Sequence, residues 1–336
     1  MITKGAKQAM NAIPSVQTDL RTATLRRRDW LKASAGILLG AHALGAAAAD
    51  RQDPAMKNLR LGVMSNVYSH LPLEQAVAKI KAEGFGCVVT DFTFADIHFD
   101  PLQPDWEAVK KTRNCLDRHG IRIVGLYGYT NIVDPNPARR KRGLAKIESV
   151  LANWKRLGCA NVSTETGTLN PTSEWLGSPE NATEDGYQKC RAALEKLVRQ
   201  AEKTGAILSI EPYWQNVIDS IDRAERIFHD VESPSFRLVM DPCNYYRKQD
   251  LPKTAPMLKE MFKRLGDKIV IAHAKDVKAS AAGTDLPASG RGDLDYPLYL
   301  RLLIELDREM PLLIEHVTWQ DVPRARDYVL KQLKKV

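Results

Sequence analysis

Four short apolar runs in the second half of the chain each end on a residue that can hold a metal ion or move a proton. They read ILSIE, RLVMD, IVIAH and LLIE, and they end on Glu211, Asp241, His273 and Glu315. Three carboxylates and one imidazole, with no sulfur, suit a hard or borderline divalent ion: Mn2+, Mg2+, Co2+ or Zn2+. An ion with an open coordination position is a Lewis acid toward substrate oxygens. A carbon beside a carbonyl polarised in this way carries an acidic proton, which a neighbouring carboxylate can remove. Glu211 and Glu315 are the natural acid/base pair for that transfer.

The four residues are spaced 30, 32 and 42 positions apart, each interval close to one strand, one helix and their loops. Consecutive parallel strands would bring all four side chains out at one carboxyl-terminal rim. The rest of the chain repeats the pattern. Apolar runs predict strands at Leu59–Ser65, Cys87–Phe92, Ile121–Gly128, Asn161–Thr166, Ile207–Pro212, Phe236–Asp241, Ile269–Ala274 and Leu312–Glu315. Between and after them, helices are predicted at Pro72–Glu83, Asp105–His119, Ala138–Leu157, Gly186–Thr204, Ser220–Val231, Ala255–Leu265, Tyr296–Leu306 and Val322–Leu333. Asp105 reads as a cap, and Gly84, Gly120 and Gly158 as stops.

Strands that are continuously apolar belong to a parallel sheet covered on both faces, and eight strand–helix units close into a (β/α)8 barrel. An open doubly wound sheet would need a glycine-rich phosphate loop after an early strand, and none follows. Further candidates for the rim follow from the same placement. Glu165 ends the fourth strand in STETGT. Asp91 ends the second, and Tyr127, Tyr213, Trp214, Tyr245 and Trp319 follow others. Aromatic rings there suit the apolar faces of a sugar. Lys275 lies two residues after His273, on the same strand face, and Asn244 follows Asp241. Arg291 belongs to a long loop, 279–295, expected to fold over the rim. Of these, Glu165, Asn244, Lys275, Arg291, Trp214, Tyr127 and Asp91 are expected to contact substrate, whereas His70 and His98 read as loop histidines.

The chain of 336 residues is 44% hydrophobic and 27% charged, which fits one barrel-sized domain, here residues 59–336 after a linker at 50–58. Residues 1–49 differ in kind. TLRRRDWLK is followed by a small-residue apolar run ending AAAAD, and Arg27-Arg28 resembles a twin-arginine export signal. The apolar run, interrupted by Ser34, Gly36, Gly40 and His42, is too weak and short for a stable membrane span. A cleaved signal, the twin-arginine machinery as partner and a periplasmic location are therefore expected. Without that segment, 42 basic residues face 39 acidic ones, so the formal charge of +8 falls to +3 and does not call for nucleic acid. Five scattered cysteines without a CxxC pair exclude a zinc ribbon and are expected to be free thiols.

From Leu59 onward the chain resembles the xylose isomerase-like TIM barrels, the sugar phosphate isomerase/epimerase group that includes ketose 3-epimerases and inosose dehydratase. The marks are SIEPY, VMDPCN, AHAKD, GRGDLDY and LLIEH, in that order. The resemblance implies metal ligation by Glu211, Asp241, His273 and Glu315, proton transfer by the two glutamates, and substrate-shaping positions at Lys275 and residues 290–295. Ketose 3-epimerases usually carry a histidine where this chain has Asn244, and an arginine where it has small residues from Ala279.

The expected activity is metal-dependent isomerisation or epimerisation of an unphosphorylated sugar through an enediolate-like intermediate. A lyase or dehydratase acting on a 3-keto-glycoside or keto-inositol would use the same proton abstraction. A non-catalytic exported sugar-binding barrel is the third alternative. Endonuclease IV-type hydrolysis, on the same barrel, would need more than seven histidines and a basic groove. A homo-oligomer is compatible with this sequence.

Overall fold

The computed structural model describes residues 58–336, so the signal segment and most of the linker lie outside the described residues. Eight strands, β1 (Leu59–Met64), β2 (Cys87–Thr90), β3 (Arg122–Tyr127), β4 (Asn161–Glu165), β5 (Ile207–Glu211), β6 (Phe236–Met240), β7 (Ile269–Ala274) and β8 (Met310–Ile314), pair in parallel and in sequence order. The β1–β8 pairing, Leu59 opposite Met310 through Val63 opposite Ile314, closes them into a barrel. Helices α1 (Leu73–Ala82), α2 (Trp106–Arg118), α3 (Pro137–Leu157), α4 (Glu184–Thr204), α5 (Ile221–Asp230), α6 (Thr254–Leu265), α7 (Tyr296–Glu305) and α8 (Val322–Leu333) follow the strands in turn. The expected TIM barrel is the observed one.

The helix starts are written in side-chain oxygens that satisfy otherwise unpaired backbone N–H groups. Asp105 accepts from Glu107 N and Ala108 N, Asn136 from Ala138 N and Arg139 N, Thr183 from Gly186 N, and Asp295 from Leu298 N. Thr183 starts α4 two residues ahead of the predicted Gly186, placing Glu184 and Asp185 in a first turn where negative charge is favoured.

Several strands end earlier than their apolar runs. Ser65 leaves β1 for a short 3-10 turn and hydrogen-bonds Thr90 across the rim at 3.0 Å. After β2, Thr90 Oγ1 and Asp91 Oδ1 accept from Phe92 N and Thr93 N at 3.0 Å each, and Phe92 takes φ 57°. Those side-chain-to-backbone bonds replace the ladder that the run CVVTDF alone would extend. At the other end, β8 begins at Met310 and includes Pro311, two residues ahead of the predicted start.

Two apolar clusters result. The larger lies between strands and helices; the smaller, Met64, Val89, Val239, Ile271 and Leu313, fills the barrel interior below the rim. Gly125 makes that interior fit, since a Cβ there would come within 2.9 Å of both Ile271 and Val89. All five cysteines are unpaired. No helix of the described residues is long and apolar enough to cross a membrane.

Candidate metal centre

Strands β5 to β8 deliver the four expected ligands at successive positions on the rim. Glu211 is the last residue of β5, Asp241 follows β6, His273 is the penultimate residue of β7 and Glu315 follows β8. Asp241 is locked by its turn: its Oδ1 accepts from Cys243 N at 3.0 Å at the start of a 3-10 helix. One donor atom from each of the four falls within 4.8 Å of all the others. His273 Nδ1 lies 3.2 Å from Glu211 Oε1, 3.1 Å from Glu315 Oε2 and 3.6 Å from Asp241 Oδ2.

Lys275 enters the same cluster, with its Nζ 2.7 Å from Glu315 Oε1 and 2.7 Å from Asp241 Oδ2. The first contact is a hydrogen bond. The second is a buried ion pair, so Asp241 Oδ2 has the Lys275 ammonium beside it but no well-directed hydrogen bond. Three carboxylates and one imidazole converging in a buried site, with donor atoms within 4.8 Å of one another, are a donor set that suits a hard or borderline divalent ion, and the residues fit one. No other group of three or more such ligands is found among the described residues.

Burial opposes every charge here, and the neighbours decide which charges survive. It pushes Glu315 and Glu211 up, but His273, with Lys275, holds both below the usual carboxylate range. The imidazole, which burial alone would lower, is raised by Glu315 and Glu211. Glu165 has no such cation at contact distance. Burial, with Glu211 adding to it, pushes its carboxyl up to about 8 against a hydrogen bond from Asn216 Nδ2 at 3.0 Å.

Of these groups, Glu165, Glu211, Lys275 and Glu315 line a cavity of about 640 Å³, whereas Asp241 and His273 are fully buried and do not line it. Of the substrate candidates, Glu165, Asn244, Lys275 and Tyr127 line it. Asp91, Trp214 and Arg291 are not among its lining residues. Asp91 is held by its own turn, the Trp214 ring packs against Gly283, and Arg291 turns outward to Asp321 at 2.8 Å.

Arg291 is displaced because the segment around it serves the backbone. Asp276, fully buried behind Lys275, accepts from Val277 N at 3.0 Å, Gly290 N at 2.9 Å and Leu294 N at 3.0 Å. A Cβ on Gly292 would run into Val277 O and this carboxylate. The loop thus wraps Asp276, while its first part forms a hairpin, Lys278–Ser280 with Gly283–Asp285, beyond which Leu286 reaches the cavity. Asp276→Ala leaves three N–H groups without their acceptor. It is expected to destabilise the protein by about 3 kcal/mol or more, lowering the calorimetric Tm by about 6–12 °C. A shift within one or two degrees would disprove this account of the loop.

Sequence reasoning did not find Tyr129, whose hydroxyl donates to Glu211 Oε2 at 2.6 Å while Asn244 Nδ2 donates to Oε1 at 2.7 Å. Tyr129 stacks on Tyr127, ring centroids 4.7 Å apart. Trp175 and His316, which also line the cavity, were likewise not singled out. Both lie past strand ends, in loops whose course no periodicity encodes. His70 and Trp319 stack on each other, 5.3 Å apart, and Tyr245 is buried; none of the three lines the cavity.

The chain matches the family model of the xylose isomerase-like TIM barrels over residues 76–333, and it belongs to that family. Among similar solved structures is a xylose isomerase-like TIM barrel protein from Mycobacterium smegmatis in complex with magnesium. It is 17% identical, with 84% of this chain and 99% of that one covered and a TM-score of 0.60. The 3-keto-D-glucoside 4-epimerase of E. coli is also 17% identical, with 81% and 99% covered and a TM-score of 0.61. A D-tagatose 3-epimerase-like protein is 18% identical, with 82% and 98% covered and a TM-score of 0.64. No curated protein matches the chain by sequence.

Proposed function

We propose that the protein is a divalent-metal-dependent isomerase or epimerase of a sugar or sugar derivative, working by proton abstraction next to a carbonyl. The observation that carries this reading is the convergence of Glu211, Asp241, His273 and Glu315, with donor atoms within 4.8 Å of one another, beside an open cavity that Glu211 and Glu315 line. Those four residues would hold the ion. When bound, a divalent ion polarises a substrate carbonyl and so acidifies the neighbouring C–H.

The chain supplies the rest. Glu211 is aimed by Tyr129 and Asn244, one on each oxygen, and Glu315 is held by Lys275. A carboxylate fixed in this way is a preorganised base, and the second glutamate can return the proton to the same or the opposite face. Lys275 also sets a positive charge where a developing oxyanion would lie. Family membership and the epimerases among the structural neighbours support the same class.

Elimination from a 3-keto-glycoside or keto-inositol is the second reading. Glu165 favours it: paired in register with Glu211 and raised by burial, its carboxyl can hand a proton to a leaving group. The test is incubation of the metal-loaded protein with sugars and 3-keto-sugars in D2O. Solvent deuterium beside the carbonyl supports the reading, product mass separates rearrangement from elimination, and exchange with none of the panel rejects both.

We also propose export by the twin-arginine route to the periplasm, on the strength of the Arg27-Arg28 motif. Replacing both arginines by lysine should leave the protein in the cytosolic fraction. Full periplasmic recovery of that variant would refute the route.

A further inference from the structure

The cavity has two zones of opposite chemistry. Its floor carries Glu165, Glu211, Glu315, Lys275 and Asn244, while its mouth carries the half-buried Leu286 and Val317 and, on the loop after β4, Trp175. Trp175 lines the cavity yet keeps 54% of its surface exposed, more than any other tryptophan among the described residues.

Its position is built. Ser173 Oγ accepts from Trp175 N at 3.1 Å and Leu176 N at 3.2 Å, Leu176 O accepts from Thr168 Oγ1 at 2.9 Å, and Gly177 N donates to Gln215 Oε1 at 2.9 Å. Asn170 Nδ2 adds a bond to Gly177 O at 2.9 Å. Thr168, the anchor of that set, is fully buried and also bonded to Asn181. Five hydrogen bonds therefore fix the backbone around an indole that packs into no core. Large apolar side chains held in water at the lip of a polar pocket mark a ligand surface.

We propose that Trp175 is a specificity residue that stacks on a second ring of the substrate, so that the substrate is a glycoside or disaccharide carrying one sugar unit on the charged floor and a ring-bearing group at the mouth. This rests on the sugar reading above and narrows it. A flat indole face pairs with the C–H face of a pyranose or with an aromatic aglycone through the same contacts. The glycosidic bond ties up the anomeric carbon as an acetal. The carbonyl that acidifies the C–H must therefore stand on another ring carbon of the floor-bound unit.

Isothermal titration of the full-length, Mn2+-loaded protein with methyl β-glucoside, phenyl β-glucoside and cellobiose, each as such and as the 3-keto derivative of its non-reducing unit, and with the galacto-configured set, tests it. The ring-bearing ligands are expected to bind about tenfold more tightly than the methyl glycoside. Trp175→Ala should remove that increment and leave the methyl glycoside unchanged, and Trp175→Phe should keep most of it. Preference for phenyl glucoside over cellobiose identifies an aromatic aglycone, and the reverse a second sugar. Equal affinities for methyl and ring-bearing glycosides, or a Trp175→Ala loss shared by all ligands, would overturn the platform while leaving the sugar reading in place. Binding of no sugar at all would overturn both.

Discussion

Glu211→Gln and Glu315→Gln are each expected to lower kcat by about two to four orders of magnitude at saturating metal, the range a positioned acid or base contributes. Both amides keep the side-chain shape and remove the ability to take up a proton. The two variants should differ in what else they disturb. At Glu211 both oxygens accept, from Tyr129 and from Asn244; an amide nitrogen facing Asn244 Nδ2 would meet a donor, whereas one facing the Tyr129 hydroxyl can donate to it, at the cost of the bond that hydroxyl gave the carboxylate. At Glu315 the amide leaves the Lys275 ammonium with Asp241 as its closest partner. Metal affinity therefore has to be measured beside turnover, and the chemical role is the part of the loss that remains when the site is full. A non-catalytic binding barrel would show no deuterium exchange in the parent protein and none to lose. Measurable, unchanged kcat in both variants would reject the acid/base assignment while leaving metal binding intact.

The parts of this site that were legible in the sequence are those tied to strand ends. A polar residue closing an apolar run at each of four consecutive strands has one place to go in a closed parallel barrel, and Glu211, Asp241, His273 and Glu315 went there. Lys275 was legible for the same reason, by the two-residue period from His273. The loops were less so. Asp91 and Arg291 carry suitable groups, yet one is used by its own turn and the other is swung outward by a segment whose backbone is organised on Asp276. Tyr129 shows the converse. It reaches Glu211 from beyond β3, at the end of a register that sets Leu126 opposite Val162 and Tyr127 opposite Ser163, and nothing in GLYGYT distinguishes it from Tyr127. Side-chain-to-backbone bonds, which decide where strands stop and loops fold, involve residue types found everywhere on a surface, so they become visible only once the chain is closed.

Removal of the metal is expected to abolish turnover and to lower Tm, and Asp241→Asn should reproduce both effects. An ion that binds the folded protein alone stabilises it by about 2.7 kcal/mol at a hundredfold excess over its Kd, which for a barrel of this size is about 5–10 °C. Asp241 is the informative position because its two oxygens have separate tasks. Oδ1 caps the turn at Cys243 N, and an asparagine carbonyl can keep that bond. Oδ2 faces the other ligand atoms and the Lys275 ammonium, and replacing it by an amide NH2 puts a donor where a cation would sit. The variant also loses the buried charge pair with the Lys275 ammonium, 2.7 Å from Oδ2, so its metal-free Tm is expected to fall below that of the parent protein, and it should show no shift on adding Mn2+, Mg2+, Co2+ or Zn2+. Thermal scans with each ion, before and after chelation, measure this directly. A parent protein indifferent to all four ions would dismantle the metal centre, and an Asp241→Asn variant stabilised as much as the parent would remove Asp241 from the ligand set.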